Sequence, residues 1–321
     1  MPTLTEQVQT NIRGVTKTTG MYWEDWHALC DLAAIAKGQI NERVLAYYNS
    51  FNAGPATFSS AYNYFLRNPT IVVNGSVPGL FAAGEPGAWY DPSDFSTLFQ
   101  DSAGITPVTA YGQSVGLMRD KSGRGNHASQ ATAGSRPVLT QDSGGHSYLA
   151  FNGTSSAMQT GSIDFTATDK MTVVAGVKKL NDATGIIAEL SATTDTTNPG
   201  SFVVHSASGV YVVAAARTAT NIRSYTGYTA PSSNVISTLV DFAVSGAGEI
   251  TTRINALAVS AGTGDAGTGP FGNYPLFIGA RNAASLFFNG NLYGLIVCGA
   301  QSNAAQITSS ESYMNSKTGA Y

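Results

Sequence analysis

Charge is the scarcest resource in this sequence. Only 12% of its 321 residues are Asp, Glu, Lys or Arg, about half the share of an ordinary globular chain. Long solvent-exposed helices need charged faces, so a mainly helical protein is disfavoured. Lys and Arg number 17 against 20 acidic residues, for a net charge of -3. With no basic run either, the electrostatic footprint of a nucleic-acid binder is missing. Cysteine is nearly absent. Cys30 and Cys298 stand far apart in a long chain, which argues for two buried thiols rather than a disulfide framework. They also lack the histidine partners of a zinc site. No uninterrupted apolar run is long enough for a membrane-spanning helix. The opening Met1-Pro2-Thr3-Leu4-Thr5-Glu6 lacks the charged-then-apolar order of a signal peptide.

Enzyme motifs are scarce as well. No Gly-x-Gly-x-x-Gly follows a strand, and there is no Walker A sequence and no Gly-x-Ser-x-Gly elbow. Glycoside hydrolysis needs two carboxylates flanking a bond. Glu189 and Glu249 fall on or beside candidate strands without a carboxylate near them in sequence. His127, His146 and His205 keep polysaccharide-lyase chemistry open only as a third reading. Asp91, Asp94 and Asp101 match no calcium-loop spacing, and Asp91-Pro92-Ser93 reads more simply as a turn or cap. No cofactor and no metal are expected.

The sequence has 35 glycines, abundant Ser, Thr and Asn, and a 43% hydrophobic fraction. That mixture suits many short strands joined by turns, and its uncharged polar surface is compatible with packing into an assembly. Residues 1–20 read as a polar N-terminal arm. From Tyr22 the pattern becomes helical. Trp23, Trp26, Leu29, Cys30 and Ala33 recur at three- and four-residue steps, and Ile40, Val44, Tyr47, Tyr48 and Phe51 form a second stripe. Residues 21–68 are therefore expected to be a small helical anchoring module, with Trp23, Trp26, Tyr47, Tyr48 and Phe51 as its aromatics. Pro and Gly crowd residues 69–87, the expected connector.

From residue 88 to 321 short extended runs alternate with turns. Met171 to Val177, closed by Lys178 and Lys179 as solvent-facing charge, is one such run. Ile186 to Leu190 is another. Phe202 to His205 and Val210 to Val213 form a pair around Ser208-Gly209, and Val235 to Val244 returns through Ile250 to Leu257. On the last, Arg253 belongs to the polar face. Asn152-Gly153 has the composition of a two-residue hairpin turn. Phe287 to Leu292 reads as a turn into Tyr293 to Cys298. Thr308 and Glu311 have the spacing of a capping box for a short C-terminal helix, in which Tyr313 and Met314 face the sandwich and Gly319 ends the helix.

The stretch Asp120-Lys121-Ser122-Gly123-Arg124-Gly125-Asn126-His127-Ala128, followed by Leu149-Ala150-Phe151-Asn152-Gly153, resembles a turn and strand of concanavalin A-like, laminin-G-like jelly rolls. The likeness extends upstream through Gly87 to Asp94 and downstream to the C-terminus. Glu24-Asp25-Trp26-His27-Ala28-Leu29 resembles an N-terminal motif of tailed-bacteriophage virion proteins, with Trp23 where relatives carry a capping asparagine.

The resemblance implies a mainly β protein: a two-layer antiparallel jelly-roll sandwich over residues 88–321, with a C-terminal helix, preceded by the small helical N-terminal module. It implies a non-enzymatic virion structural protein of a tail, fibre or head surface, located in the virion. Its partners would be copies of itself and other virion proteins, with no nucleic acid and no membrane insertion. The alternative is an adhesin module that binds host surface glycan. For that role Asn221, Arg223, Tyr225 and Tyr228 form the best local cluster, and Asn126 and His127 form a second candidate rim. The same aromatics also suit a protein interface.

Overall fold

The computed structural model describes residues 77–192, 198–259 and 264–321. The expected arm, the helical module with Trp23, Trp26, Tyr47, Tyr48 and Phe51, and Cys30 lie outside the described residues. The rest is an antiparallel two-sheet sandwich. One sheet has eight strands. Its path runs β15 (Leu257–Val259), β14 (Ile250–Ile254), β13 (Ser232–Asp241), β8 (Lys170–Lys179), β17 (Asn289–Cys298), β6 (Ser147–Asn152) and β5 (Val138–Gln141), with β1 (Gly87–Tyr90) also paired to β17. The other has nine, in the order β12 (Thr220–Thr226), β11 (Val210–Ala216), β10 (Ser201–Ala207), β9 (Gly185–Leu190), β16 (Asn273–Ile278), β7 (Met158–Asp164), β4 (Ala128–Ser129), β3 (Leu117–Met118) and β2 (Leu98–Phe99).

Side-chain alternation shows which strands carry one buried face and which carry two. Along β12 the side chains alternate between buried and exposed, as expected of a strand with one face on a core. Phe202, Val204, Tyr211, Val213, Tyr225, Leu276 and Ile278 from the nine-stranded sheet meet Val173, Ala175, Val177, Ile236, Leu292 and Leu295 from the other. The central strands β8 and β17 are buried along nearly their whole length. Their second face lies under the C-terminal helix α1 (Ala304–Thr318) and a 3-10 turn at Val77–Phe81. Together these elements bury Trp89, Val174, Val235, Ile296, Cys298 and Met314.

Two glycines let the helix sit that close. A β-carbon on Gly176 would lie 2.6 Å from Thr318 Cγ2 and 2.8 Å from Met314 Sδ, and one on Gly294 would lie 2.8 Å from the same sulfur. All three contacts are shorter than packed atoms tolerate.

Several local expectations change in the structure. Asn152-Gly153 is not a hairpin turn. It is the corner where β6 leaves one sheet and β7 joins the other. Asn152 Oδ1 accepts from the amides of Thr154, Ser155 and Ser156, and Gly153 takes φ +74°. Phe287 to Leu292 is not a turn before a strand, because Asn289 onward is already β17, with a register shift between Leu292 and Gly294.

The capping box lies earlier than Thr308. Asn303 caps α1, and its side chain and that of Gln306 exchange bonds with each other's backbone amides. Gly319 closes the helix in the left-handed region at φ +55°, the conformation that favours glycine there. Lys179 does not face solvent. It is fully buried, ion-paired to Asp182 at 2.8 Å, and donates to the carbonyls of Ala207 and Val210. Residues 77–81, expected in the connector, pack as part of the sandwich.

Candidate functional site

Asn126 and His127 sit in a loop whose polar groups are turned inward. Asp120 Oδ1 accepts from the amides of Trp89 and Ser122, and Oδ2 accepts from the Ser122 hydroxyl and the Asn126 amide. Asn126 Nδ2 donates to the Gly87 carbonyl at 2.7 Å, and its own carbonyl accepts from the Tyr90 hydroxyl. The Asp120 amide donates to His127 Nδ1 at 3.0 Å. Gly123 and Gly125 hold the loop's left-handed positions. This geometry pins the loop to β1, so Asn126 spends its side chain on the fold.

Asn221, Arg223 and Tyr225, from the candidate glycan or interface cluster, are strand residues. They lie on β12, an edge strand, and all three point inward. Arg223 is 1% exposed and Tyr225 4%. Arg223 Nη2 donates to the carbonyls of Gly246 and Gly264, while Nε and Nη1 are buried without a partner. Asn221 Nδ2 donates to buried Glu249 and to Gly264 O. Burial pushes the Glu249 carboxyl up, against the pull of the Ala266 amide and Asn221. Tyr228, beyond the strand, packs its ring on Tyr211 at 5.5 Å. These residues close the side of the sandwich where β12 faces β14. Of the four candidate glycan or interface contacts, Asn221, Arg223 and Tyr225 are buried and Tyr228 is partly exposed.

The acidic trio divides in the same way. Burial by itself would raise the Asp91 carboxyl. Lys317 and Lys121, with hydrogen bonds from Ser93 and Tyr313, hold it well below the usual carboxylate range. Lys121 Nζ lies 3.2 Å from Asp91 and 2.7 Å from Asp94. Tyr313 Oη donates to Asp91 at 2.7 Å, and Lys317 donates to Ser93 at 2.8 Å. This network ties α1 to the start of the sandwich. Asp101 is held down to about 2 by the amides of Thr106 and Ile105, a loop-capping role.

A different constellation occupies the outer face of the nine-stranded sheet. Glu189 on β9 pairs in register with Val203 on β10 and Phe277 on β16, and His205 pairs with Ile186. Val203 and Ile186 belong to a small apolar cluster separate from the main core. Glu189, set in this surface, is fully buried, and both its oxygens are engaged. Ser191 Oγ donates to Oε1 at 2.8 Å and Arg281 Nε to Oε2 at 2.9 Å. Arg281 keeps 21% of its side chain exposed. Only its Nε bonds to the carboxylate.

Left-handed backbone shapes the turn that carries Arg281. Arg281 and Ser285 bridge across it, and Asn282, Ala283 and Leu286 all adopt positive φ. Left-handed backbone costs an Ala or a Leu roughly 1–2 kcal/mol each, and such strain clusters at functional positions. Burial lowers the His205 pKa, with the Arg281 charge acting in the same direction and Glu189 opposing. His205 Nδ1 lies 3.1 Å from the Ser206 carbonyl. A carbonyl can only accept, so Nδ1 carries the proton and Nε2 is the variable atom.

Glu189 and His205 are legible in the sequence as polar residues on candidate strands, and Arg281 is not. The partners are 92 residues apart. One signal was available: a glutamate in the otherwise apolar run Ile186-Ile187-Ala188-Glu189-Leu190 requires a buried counter-charge.

Among the described residues no group of three or more His, Cys, Asp or Glu is placed to hold a metal ion, and no helix is long and apolar enough to cross a membrane.

No family model and no curated protein matches the sequence. Solved structures do. A botulinum neurotoxin serotype G binding domain is similar over 62% of this chain and 48% of its own, with 11% identity and a TM-score of 0.48. The binding domain of botulinum neurotoxin DC in complex with SialylT matches over 61% and 48%, at 9% identity and TM-score 0.44. A Trypanosoma rangeli sialidase matches over 73% of this chain and 33% of its own, at 12% identity and TM-score 0.44. The chain spans about half or less of the length of each. At these identities and scores the likeness carries no functional argument.

Proposed function

We propose that this chain is a non-catalytic attachment module of the concanavalin A-like type, displayed on a virion, that binds glycan on the outer face of its nine-stranded sheet. The observation that carries the reading is the Arg281–Glu189 pair. Arg281 is a directional donor that keeps a fifth of its side chain exposed, oriented by a buried carboxylate on a rigid sheet and carried by a turn rich in positive φ. Binding sites use a few polar groups fixed in this way. Both oxygens of Glu189 are committed and the residue is fully buried. Buried, its carboxylate is out of a substrate's reach, and the pair suits holding a ligand better than acid–base catalysis. The virion setting rests on the sequence resemblance alone.

Assembly is the second reading, and one observation favours it. Ile222 on β12 is 60% exposed and Leu257 on β15 is 70% exposed, both on terminal strands of their sheets. Such edges invite contact with another chain.

Glycan-array and cell-envelope binding by the purified full chain tests the main reading. Saturable binding that is weakened in Arg281→Lys, with the melting profile retained, supports it. Absence of wild-type binding to every glycan and envelope removes it, and incorporation into particles without binding gives the assembly reading instead.

A further inference from the structure

We infer that two copies of this chain pair through β12, edge to edge and antiparallel about a two-fold axis at Ile222, so that their nine-stranded sheets join into one. The inference goes beyond the glycan reading and gives the assembly reading a surface and a partner. It begins with a difference between the two flanks of the sandwich. One flank holds the terminal strands β2 and β5. There the segment 106–115 of the same chain bonds to both. Val108 N donates to Leu98 O, and Phe99 bridges to Pro107. Leu139 N donates to Gln113 O, Gly112 N to Leu139 O, and Val115 N to Pro137 O. Both edges are thereby answered from within the chain.

The other flank holds β12 and β15, and the register shows what β12 presents. Ala207 and Val210 close the turn between β10 and β11, and the closing pair of such a turn is hydrogen-bonded. Bonded and non-bonded pairs alternate in an antiparallel ladder. Tyr211, Val213 and Ala215 therefore bond toward β12, to Tyr225, Arg223 and Asn221. Tyr228 N, which donates to Gly209 O, continues the alternation. Thr220, Ile222, Ser224 and Thr226 are left to direct N–H and C=O away from the sheet. Among the described residues no strand pairs with that side of β12.

This edge also lacks the devices that keep edges from pairing. Natural edge strands are cut short, bulged, or guarded by Lys or Pro. β12 is seven residues long, and its register with β11 is unbroken. Its outward residues Ile222, Ser224 and Thr226 are exposed and uncharged. Its one charged residue, Arg223, is turned inward and buried.

An extended strand is what answers a row of alternating N–H and C=O groups, and a second copy supplies one that matches. An axis at Ile222 sets that exposed apolar side chain against its own counterpart, and Thr220 against Ser224 of the second copy. An axis at Arg223 would place two arginines opposite each other, which like charge disfavours. An axis at Ser224 would face each Ile222 with a threonine. The net charge of -3 on the whole chain opposes association only weakly. Such pairing is isologous and consumes the β12 edge of both copies, so it closes at two. Seven residues of strand span about 24 Å. A contact this short sets the expected dissociation constant at roughly 1–100 μM.

Sedimentation velocity and hydrogen exchange on the full chain, between about 1 and 200 μM, test the inference. The expected result is a monomer–dimer equilibrium that stops at two copies. The amides of Ile222 and Ser224 should exchange about twofold or more slower at the top of the range, while those of β2 and β5 stay unchanged. Ile222→Lys and Ile222→Glu should each weaken self-association about tenfold or more, because like charges then meet at the axis. An equimolar mixture of the two should restore the dimer. Retained melting profiles, expected of a side chain that is 60% exposed, separate lost pairing from misfolding.

A monomer throughout the range overturns the inference, and incorporation of that monomer into particles would still support the assembly reading. A dimer whose protected amides lie elsewhere, or growth beyond two copies, overturns it as well. Two monomeric variants whose mixture stays monomeric overturn the axis at Ile222. The exchange measurement needs no substitution, so it decides the matter even if a variant fails to fold.

Discussion

The outer faces of the two sheets treat charge in opposite ways. On the eight-stranded sheet, α1 and the turn at Val77–Phe81 cover the strands. Asp91 at that seam gathers Lys121, Lys317 and the Tyr313 hydroxyl around one buried carboxylate. On the nine-stranded sheet Arg281 is half used. One nitrogen meets Glu189, and a fifth of the side chain stays open. A buried carboxylate that gathers two lysines and a tyrosine fixes the fold. A guanidinium that is oriented but only partly answered is equipped to recognise something. Each site contains a buried carboxylate, and the contrast lies in how many cations it gathers: two at Asp91 and one at Glu189.

The largest effect that would probe this contrast is on the covered face. Asp91→Asn should cost about 3 kcal/mol in urea unfolding, because it leaves lysines at a buried seam without their counter-charge. The folded Asp91 carboxyl lies below its ordinary value of 3.8. Its stabilisation is therefore complete above about pH 4 and lost as pH falls below that value. The wild type should lose stability over this acid range, and the variant should show a flatter acid limb. An unchanged urea midpoint would show the network to be as dispensable as an exposed ion pair.

A smaller effect comes from steric closure. Gly176→Val should cost about 1–3 kcal/mol by pushing Met314 and Thr318 outward. Hydrogen exchange should quicken in α1 before it does in the strands of the opposite sheet. Uniform quickening through both sheets would mean that the helix is not a separable cover.

The smallest effect needs no mutation. Cys298 lies beneath the cover, with burial pushing its thiol up to about 12 and Sγ–H donating to Leu80 O at 3.1 Å. Alkylation of Cys298 at pH 8 should be negligible in the native protein and immediate after denaturation. Rapid native labelling would show that the cover opens readily.

Part of this architecture was readable residue by residue. The Val210–Val213 run and its partner, turning at Ser208-Gly209, form the β10–β11 hairpin as expected, because alternation and turn chemistry are local. Gly319 ends α1, and Met314 packs inward, for the same reason. Lys179 shows where local reading fails: its charge suggested solvent, but Asp182, two carbonyls and the ring of Tyr211 supply partners inside. Arg223 and Tyr225 failed likewise. Their polar stretch suggested a surface contact, and only the pairing of β12 with β11 turned alternate residues toward the interior.

The sequence by itself determined the class: little charge, many turns and period-two runs leave few alternatives to an antiparallel sandwich. It also determined most strand identities, since these depend on neighbours a few residues away. The site was decided by tertiary structure. Arg281 comes from the turn after β16 and Glu189 from β9, and neither means much until the sheet places β16 beside β9. Which charges close on themselves and which remain open depends on what packs over each face, and that distance in space has no counterpart in distance along the chain.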